Sequence, residues 1–319
     1  MSSSEELRLI LQAARLYYED SLTQQQVAQE LGVSRPTVSR LLAQARQEGI
    51  VQITVLDPFA TFEELETRLG RAFHLQQAVV VAGEGASGEL LRRRLGLATA
   101  EYLRSTLNNS DLVGIGWGRT LHAVVEGLGA ERQSEVHVFP LIGGLGQISP
   151  SFQVNDLARG LAEAFSGSWL ALYAPALVSD PSTCQALFQV ADVGAVIQSW
   201  PKLDVVLVGI GHFALQRQSS MLFAGYMDAA LLLELERRGA VGDLCGRFFD
   251  AQGRQCLLEP GVIGISLEQL KALDHVIGVA GGEEKVAAIL GALRVGCLNV
   301  LVTDTVTAEA VLEKHKGET

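Results

Sequence analysis

The stretch Asp111–Thr120 combines glycines with two side chains that bind anions. Its sequence, Asp-Leu-Val-Gly-Ile-Gly-Trp-Gly-Arg-Thr, predicts a strand ending in glycines, after which Arg119 and Thr120 open a helix. A helix N-terminus offers free N–H groups and the positive end of the helix dipole, and a guanidinium adds a bidentate donor. A plain tight turn is the alternative, because Gly-x-Gly-x-Gly does not match the dinucleotide fingerprint. We favour a site for a phosphate or carboxylate.

Three other places could contribute to the same pocket. Gly143 and Gly144 end another apolar run, and Lys285 stands at the start of a helix, where a cation opposes the dipole. The carboxylate of Asp243 could accept hydroxyls from a polyol. For Lys285 an exposed surface position is an equal alternative, and Asp243 could simply cap a turn. Trp117 could stack on a sugar ring or fill the core.

The remaining polar residues are interpreted as structural. Arg92, Arg93 and Arg94 lie on an amphipathic helix and are expected to be solvated. His212 could lie at the edge of the pocket, but we favour a satisfied structural histidine. The six histidines and four cysteines show no metal-ligand spacing. The sequence therefore predicts no metal, no cofactor and no catalytic residue.

Residues 24 to 43 have the pattern of a helix-turn-helix. Thr23 and Gln26 form a capping box at the start of one helix, Ala28 is small where two helices cross, and Gly32 occupies the turn. Hydroxyl and guanidinium groups remain on the outer side of the second helix, where they suit base edges and phosphates in a major groove. The predicted DNA-binding residues are Thr23, Gln24, Ser34, Arg35, Pro36, Thr37, Ser39 and Arg40. An αα-hairpin packed on a larger domain is the alternative.

The charge of this region is favourable only locally. Residues 31 to 47 contain three arginines and no acid, whereas residues 1 to 57 contain five arginines and seven acids, a net charge of −2. Affinity for the DNA backbone scales with the number of phosphates neutralised, so one copy should bind weakly. At least a dimer is inferred.

The rest of the chain alternates short apolar runs with helical stretches. This rhythm predicts an α/β fold in which helices cover both faces of a mostly parallel sheet. The predicted strands are Ala78–Ala82, Leu112–Ile115, Val136–Ile142, Leu170–Tyr173, Val205–Ile210, Val276–Ala280 and Val300–Thr303. The expected domains are an all-α helix-turn-helix domain over residues 1–57 and an α/β domain over 58–319.

Composition excludes several classes of protein. The chain has 319 residues, 48% of them hydrophobic, and a net charge of −11, which argues against a protein coated in nucleic acid or anionic lipid. Its strongest apolar run, 205 to 215, falls short of the ~20 residues of a membrane span. The polar, acidic start does not resemble a secretion signal. Four scattered cysteines suggest reduced thiols, so a cytoplasmic location is expected.

Taken together, these motifs resemble the SorC type of bacterial transcriptional regulator, over almost the whole chain. The resemblance is carried by five segments, which occur in this order: 22–41, Gly114-Ile-Gly-Trp-Gly-Arg-Thr120, Gly239-Ala-Val-Gly-Asp243, Gly281-Gly-Glu-Glu-Lys285 and Leu301-Val-Thr-Asp304.

The resemblance implies a DNA-binding domain followed by an effector domain similar in fold to sugar-phosphate isomerases and CoA transferases. Such regulators are usually homotetramers on palindromic operators near genes of carbohydrate catabolism, and a sugar or sugar phosphate changes their DNA affinity. The residues expected to bind the effector are Gly116, Trp117, Gly118, Arg119, Thr120, Gly143, Gly144, Asp243 and Lys285.

Two positions depart from the family pattern. Some members carry a lysine before the paired glycines and form a Schiff base with an aldehyde effector; Ile142 stands there in this chain, so no covalent adduct is expected. Many members have an arginine where this chain has Gly261, which puts one anion contact in doubt.

Two other functions compete with regulation. An isomerase or transferase on the same α/β fold would need a general base, and only Asp243 and Glu283 offer one. Turnover of a sugar phosphate that disappears in Asp243→Asn would favour it. A constitutive architectural DNA-binding protein fits poorly, because it has no use for so large an α/β domain.

Overall fold

The computed structural model describes residues 3–20, 22–51, 62–86, 88–129, 134–146, 152–178, 180–213, 229–256 and 261–318. The chain forms two compact units, Met1–Phe59 and Ala60–Thr319. The domain boundary expected after residue 57 lies outside the described residues.

The first unit is helical, with α1 at Ser3–Tyr18, α2 at Gln24–Leu31 and α3 at Arg35–Gln47. Its core is a single apolar cluster shared by the three helices. The fully buried members are Ile10, Ala13, Ala14, Val27, Ala28, Val38, Leu41, Leu42 and Ala45.

The second unit alternates strands and helices, as the apolar rhythm predicts. Its strands are β1 Gln77–Val81, β2 Leu112–Ile115, β3 His137–Pro140, β4 Ser168–Trp169, β5 Val205–Gly209, β6 Gly211–His212, β7 Ala240–Leu244, β8 Arg247–Asp250, β9 Val276–Val279 and β10 Val300–Asp304. Its helices are α4 Glu63–Phe73, α5 Gly88–Thr106, α6 Arg119–Leu128, α7 Val154–Ala164, α8 Pro181–Phe188, α9 Ala191–Ser199, α10 Ala229–Arg237, α11 Leu267–Lys271, α12 Val286–Val295 and α13 Thr305–Glu318.

Seven of the strands form one parallel sheet in the order β1-β10-β9-β5-β2-β3-β4. Because successive side chains point to opposite faces, Val205 and Leu207 join one apolar cluster with α5, α6 and α7, while Val206 and Val208 join the other. Helices therefore cover both faces, as predicted for a parallel sheet.

Two features differ from the sequence-based expectation. Residues 240–243 lie in β7 of a small antiparallel sheet, β6-β7-β8, whose short strands gave no apolar run to detect. The strand expected at Leu170–Tyr173 is instead β4 at Ser168–Trp169, whose two residues pair with His137 and Val138 of β3. Beyond Trp169, the backbone N–H and carbonyl of Leu172 form hydrogen bonds with the side-chain amide of Asn155 instead of with a strand.

Glycine sets the distance between α5 and α6. A Cβ on Gly96 would overlap the backbone carbonyl of Ala123, and one on Gly127 would lie 3.3 Å from the carbonyl oxygen of Gly96. The two helices therefore approach each other more closely than side chains would allow.

We expect Gly96→Ala to reduce the free energy of unfolding by about 1–3 kcal/mol, because the added methyl forces α5 and α6 apart. Gly70→Ala is the matched control, since its Cβ would meet only the Leu75 carbonyl oxygen at 3.7 Å. That substitution should gain about 0.5–1 kcal/mol from helix propensity. Denaturant unfolding of the full chain measures both, and equal effects would contradict the packing argument.

Candidate functional site

The start of α2 is held by reciprocal hydrogen bonds. The Thr23 hydroxyl accepts from the Gln26 N–H at 3.4 Å, and the Gln26 side-chain oxygen accepts from the Thr23 N–H at 2.9 Å. This is the predicted capping box, and it fixes where the first helix of the motif begins.

The turn and the second helix follow the predicted chemistry as well. Gly32 adopts a left-handed conformation with φ of 63°. Ser34 then caps α3, accepting from the Thr37 N–H at 3.3 Å, and Pro36 lies in the first turn, where its missing N–H leaves no bond unmade. These caps fix where α3 begins, and its apolar residues Val38, Leu41, Leu42 and Ala45 are buried in the core of the first unit.

Six of the eight predicted DNA-binding residues are exposed, and Gln24 and Thr37 are half-buried. They lie at the starts of α2 and α3 and along the outer side of α3. In the described part of the chain, no carboxylate forms an ion pair with Arg35 or Arg40. Both guanidinium groups thus face solvent, where phosphates and base edges can be reached.

The second unit contains a cavity of about 800 Å³ at the carboxyl end of the parallel sheet. Loops that follow β1, β2, β5, β9 and β10 line it, because parallel strands all end at this edge. The lining includes residues 83–86, 117–120, 209–212, 281–285, 304 and 306, together with Arg92 and Asp243. Crevices of this kind are the usual ligand sites of open α/β sheets.

The N-terminus of α6 opens into the cavity. Gly118 precedes it with φ of 113°, a conformation that favours glycine, and the first helical hydrogen bond runs from the His122 N–H to the Gly118 carbonyl at 3.0 Å. The N–H groups of Arg119, Thr120 and Leu121 precede that bond and have no acceptor within the helix.

Four basic side chains share this space. Partial burial and the charge of Arg119 lower the pKa of Arg92. Burial lowers the pKa of Lys285 to about 8; the Glu284 and Asp243 charges raise it, and the Arg119 and Arg92 charges, which act more weakly, lower it. Burial also lowers the pKa of His212, helped by Lys285. Burial is the main cause of all three shifts, and Arg119 adds to each while Glu284 opposes it, so an anion bound beside Arg92 and Arg119 would favour their charged forms.

Lys285 and Asp243 are held on one side of the cavity. The Lys285 ammonium donates to the Ile210 carbonyl at 2.9 Å. Burial raises the pKa of Asp243 to about 6, against the effects of the Gly246 N–H, which donates to it at 3.1 Å, and of the Lys285 charge. A Cβ at Gly211 would overlap this carboxylate, so glycine is needed there.

Asp304 has a positioning role. Its carboxylate accepts from the Thr307 N–H at 3.0 Å, the Thr307 hydroxyl at 2.5 Å and the Gly282 N–H at 3.1 Å. It thereby ties the glycine turn after β9 to the start of α13. Glu84 accepts from the Thr305 hydroxyl at 2.8 Å, and its own backbone N–H and that hydroxyl lower its pKa.

The structure brings six of the nine predicted effector residues together at the cavity. They are Trp117, Gly118, Arg119, Thr120, Asp243 and Lys285. The other three lie outside its lining. A Cβ on Gly116 would contact the Cys245 sulfur at 3.3 Å, so this glycine serves packing behind the loop. Gly143 and Gly144 donate to the Ile263 and Ala174 carbonyls at 2.8 and 2.9 Å, joining neighbouring segments.

The expectation that all three arginines of α5 are solvated was wrong. Arg92 is half-buried and lines the cavity, as does His212, for which a place at the pocket was the alternative. Arg94 is 5% exposed and donates to the Ala82 carbonyl at 2.6 Å. Since β1 and α5 form a strand-turn-helix unit like β2 and α6, the first turn of α5 must start at the same sheet edge, and that topology could have identified Arg92.

We expect Asp243→Asn to change how stability depends on pH. The folded protein has a pKa of about 6 at this carboxyl against an ordinary 3.8. It therefore holds an extra proton between these values, and the free energy of unfolding falls as pH rises through this window, by about 3 kcal/mol. Asparagine removes that fall.

The measurement is the wild-type minus variant unfolding free energy between pH 3.5 and pH 7. The control is Asp192→Asn, which changes an exposed carboxylate in the first turn of α9. If the wild-type and Asp243→Asn curves stay parallel over this range, the pKa of Asp243 is not raised in the folded protein.

Among the described residues, no helix has the length and apolar character needed to span a membrane. Nor do the side chains in that part of the chain form a cluster of three or more His, Cys, Asp or Glu suited to a metal ion.

Comparison with known proteins identifies both units. Residues 57–313 match the family described as "Putative sugar-binding domain", and residues 7–60 match a Crp-like helix-turn-helix domain. The sorbitol operon regulator of Klebsiella pneumoniae is 35% identical over 98% of this chain and 100% of its own. The deoxyribonucleoside regulator of Bacillus subtilis is 33% identical over 97% and 98%.

Solved structures agree with this assignment. The crystal structure of the full-length sorbitol operon regulator SorC from Klebsiella pneumoniae superposes with a TM-score of 0.75 at 34% identity, covering 96% of this chain and 98% of that one. The sequence-based recognition of the family, the fold class and the regulator function is therefore confirmed. This chain belongs to the SorC family of helix-turn-helix transcriptional regulators.

Proposed function

We propose that this regulator binds operator DNA through residues 1–57 and a phosphorylated sugar through residues 58–319, and that the sugar phosphate controls DNA affinity. The observation that carries the proposal is the cluster of basic side chains around the N-terminus of α6, in a cavity large enough for a sugar phosphate. The names of the relatives, a sorbitol operon regulator and a deoxyribonucleoside regulator, support a carbohydrate-linked role.

In this proposal the phosphate sits at the first turn of α6. The N–H groups of Arg119 and Thr120, the Thr120 hydroxyl and the guanidinium groups of Arg119 and Arg92 all belong to residues that line the cavity. A phosphate monoester carries close to two negative charges at neutral pH, which matches two guanidinium groups better than a carboxylate does. Asp243 and Lys285 are then placed to bind sugar hydroxyls or a second substituent.

We expect Arg119→Ala and Arg92→Ala each to weaken sugar phosphate binding about 10- to 100-fold, because each removes a charge-assisted hydrogen bond. Arg93→Ala is the matched control, since it removes an exposed guanidinium from the same helix. Thermal shift with a panel of pentose and hexose phosphates, and with the same sugars unphosphorylated, measures this. A ligand at 100 times its Kd stabilises the fold by ~2.7 kcal/mol.

Stabilisation by unphosphorylated sugars alone, or an equal loss in Arg93→Ala, would contradict the phosphate assignment. Stabilisation by unphosphorylated sugars alone would indicate that the cavity binds a neutral sugar.

The DNA-binding unit contacts its operator through the outer side of α3, which enters the major groove. Its charge of −2 limits the affinity of one copy, so we propose a homo-oligomer, a tetramer in the full assembly, on a palindromic operator. The protein is proposed to work in the cytoplasm. The sugar phosphate must bind one quaternary state more tightly than another, since equal affinity shifts no equilibrium.

We expect Arg40→Ala to lower DNA affinity at least 10-fold. Arg15→Ala is the control, because it removes an exposed arginine of α1 that pairs with Glu19 at 3.9 Å. Fluorescence anisotropy at several salt concentrations, on a duplex selected from a random library by the wild-type protein, measures both. If Arg40 binds a phosphate, the slope of log K against log salt drops by ~0.9; equal affinity for all three proteins would contradict the interface.

We propose that the protein is not an enzyme. The isomerase alternative needs a general base free to act on a bound sugar, and burial raises the pKa of the cavity carboxylate Asp243 to about 6. Its contact with the Gly246 N–H supports a role in holding the β7–β8 turn, alongside any contact with ligand.

A further inference from the structure

The segment 168–178 is the outer edge of the parallel sheet, and its inner side is fully bonded. Ser168 and Leu170 donate to the Val136 and Val138 carbonyls at 2.9 and 3.1 Å. Beyond β3 the side chain of Asn155 takes over: its oxygen accepts from the Leu172 N–H at 3.0 Å, and its amide donates to the Leu172 carbonyl at 3.3 Å.

Further along, the loop at Gly144 continues the same role. The Gly144 N–H donates to the Ala174 carbonyl, and the Gly144 carbonyl accepts from the Ala176 N–H, both at 2.9 Å. Every second residue from 168 to 176 is therefore bonded inward, which is the pattern of one extended strand.

The alternate residues, Trp169, Ala171 and Tyr173, direct their N–H and C=O groups outward. No described residue forms a backbone hydrogen bond to them. The side chains are apolar or aromatic, and Tyr173 is 77% exposed. Residues 168–178 contain no charge, and Pro175 ends the run of outward N–H groups. An edge of this kind pairs readily with another strand, because nothing in its sequence opposes it.

We propose that this edge pairs with the same edge of a second copy, antiparallel and centred on Ala171. The inference rests on the homo-oligomeric assembly proposed above and assigns it a surface. In this register Ala171 faces Ala171 of the partner subunit, and Trp169 faces Tyr173 of the partner subunit on both sides of the two-fold axis. Three hydrogen-bonded residue pairs form, which gives six backbone hydrogen bonds.

The spacing is what favours a second copy over an unrelated strand. A two-fold axis requires the surface to complement itself, and here a small residue lies at the centre with one aromatic residue two positions away on each side. Aromatic pairs across antiparallel strands are among the more favourable cross-strand contacts. The two seven-stranded sheets would become one continuous sheet across the assembly.

Cysteine crosslinking of the full-length protein tests the register. Cα atoms of a hydrogen-bonded antiparallel pair lie about 5.5 Å apart, within disulfide range, so Ala171→Cys should crosslink two copies under mild oxidation. The partner positions of Tyr173→Cys would be about 13 Å apart and should not. Wild type, with its native thiols, is treated in parallel. Crosslinking of Tyr173→Cys in preference to Ala171→Cys, or of neither, overturns the proposal.

Sedimentation of two further variants tests the pairing itself. Ala171→Pro removes the central N–H and Tyr173→Lys adds a charge to the edge, so each should halve the particle mass. Leu233→Lys is the control, because Leu233 is 60% exposed on α10, outside this edge. If Ala171→Pro fails to fold, the mass of Tyr173→Lys and the crosslinking of the two cysteine variants test the pairing. A wild-type monomer, or unchanged mass in folded variants, overturns the proposal.

Sugar phosphate thermal shift is measured on the same samples. Halved mass with an intact thermal shift supports the pairing, whereas a wild-type protein that shows no shift counts against the proposed effector and leaves the pairing to the mass and crosslinking results.

Discussion

Seven strands that all run in one direction impose the arrangement of the second unit. Each strand-to-helix turn must lie at the same edge of the sheet, so five turns meet there and enclose one cavity. Helix N-termini are brought to that edge as well, and their unpaired N–H groups add positive potential to the basic side chains nearby. The parallel direction of the strands thus determines where the cavity forms, and the individual side chains determine what it can bind.

The cavity keeps like charges at close range in partly buried surroundings. Burial, more than the neighbouring charges, lowers the pKa values of Arg92, Lys285 and His212 and raises that of Asp243. The apolar residues buried on both faces of the sheet stabilise the fold and offset this destabilisation. A ligand that supplied negative charge beside Arg92 and Arg119 would offset part of this cost.

The helix-turn-helix could be predicted almost residue by residue, because its signals are local. Thr23, Gly32 and Ser34 each act within four residues of their own position. Part of the cavity could also be predicted from the sequence, because Arg119 and Lys285 follow glycine turns. Arg92 was missed because three consecutive arginines on an amphipathic helix look solvated until the sheet topology places the helix start. The paired glycines at 143–144 have the composition of a binding loop but are used for backbone hydrogen bonds to Ala174 and Ile263.

The close approach of α5 and α6 at Gly96 has a mechanical consequence. Their facing surfaces are backbone against backbone, and at the far end the Arg104 guanidinium donates to the Gly127 and Leu128 carbonyls at 2.8 and 2.5 Å. With a contact near the middle and another at the far end, the two helices cannot slide past each other. At about 1.5 Å per residue, the 19 residues of α5 span about 28 Å. Because α6 has only 10 residues, it accompanies α5 over part of this length, and the two contacts fix the helices relative to each other there.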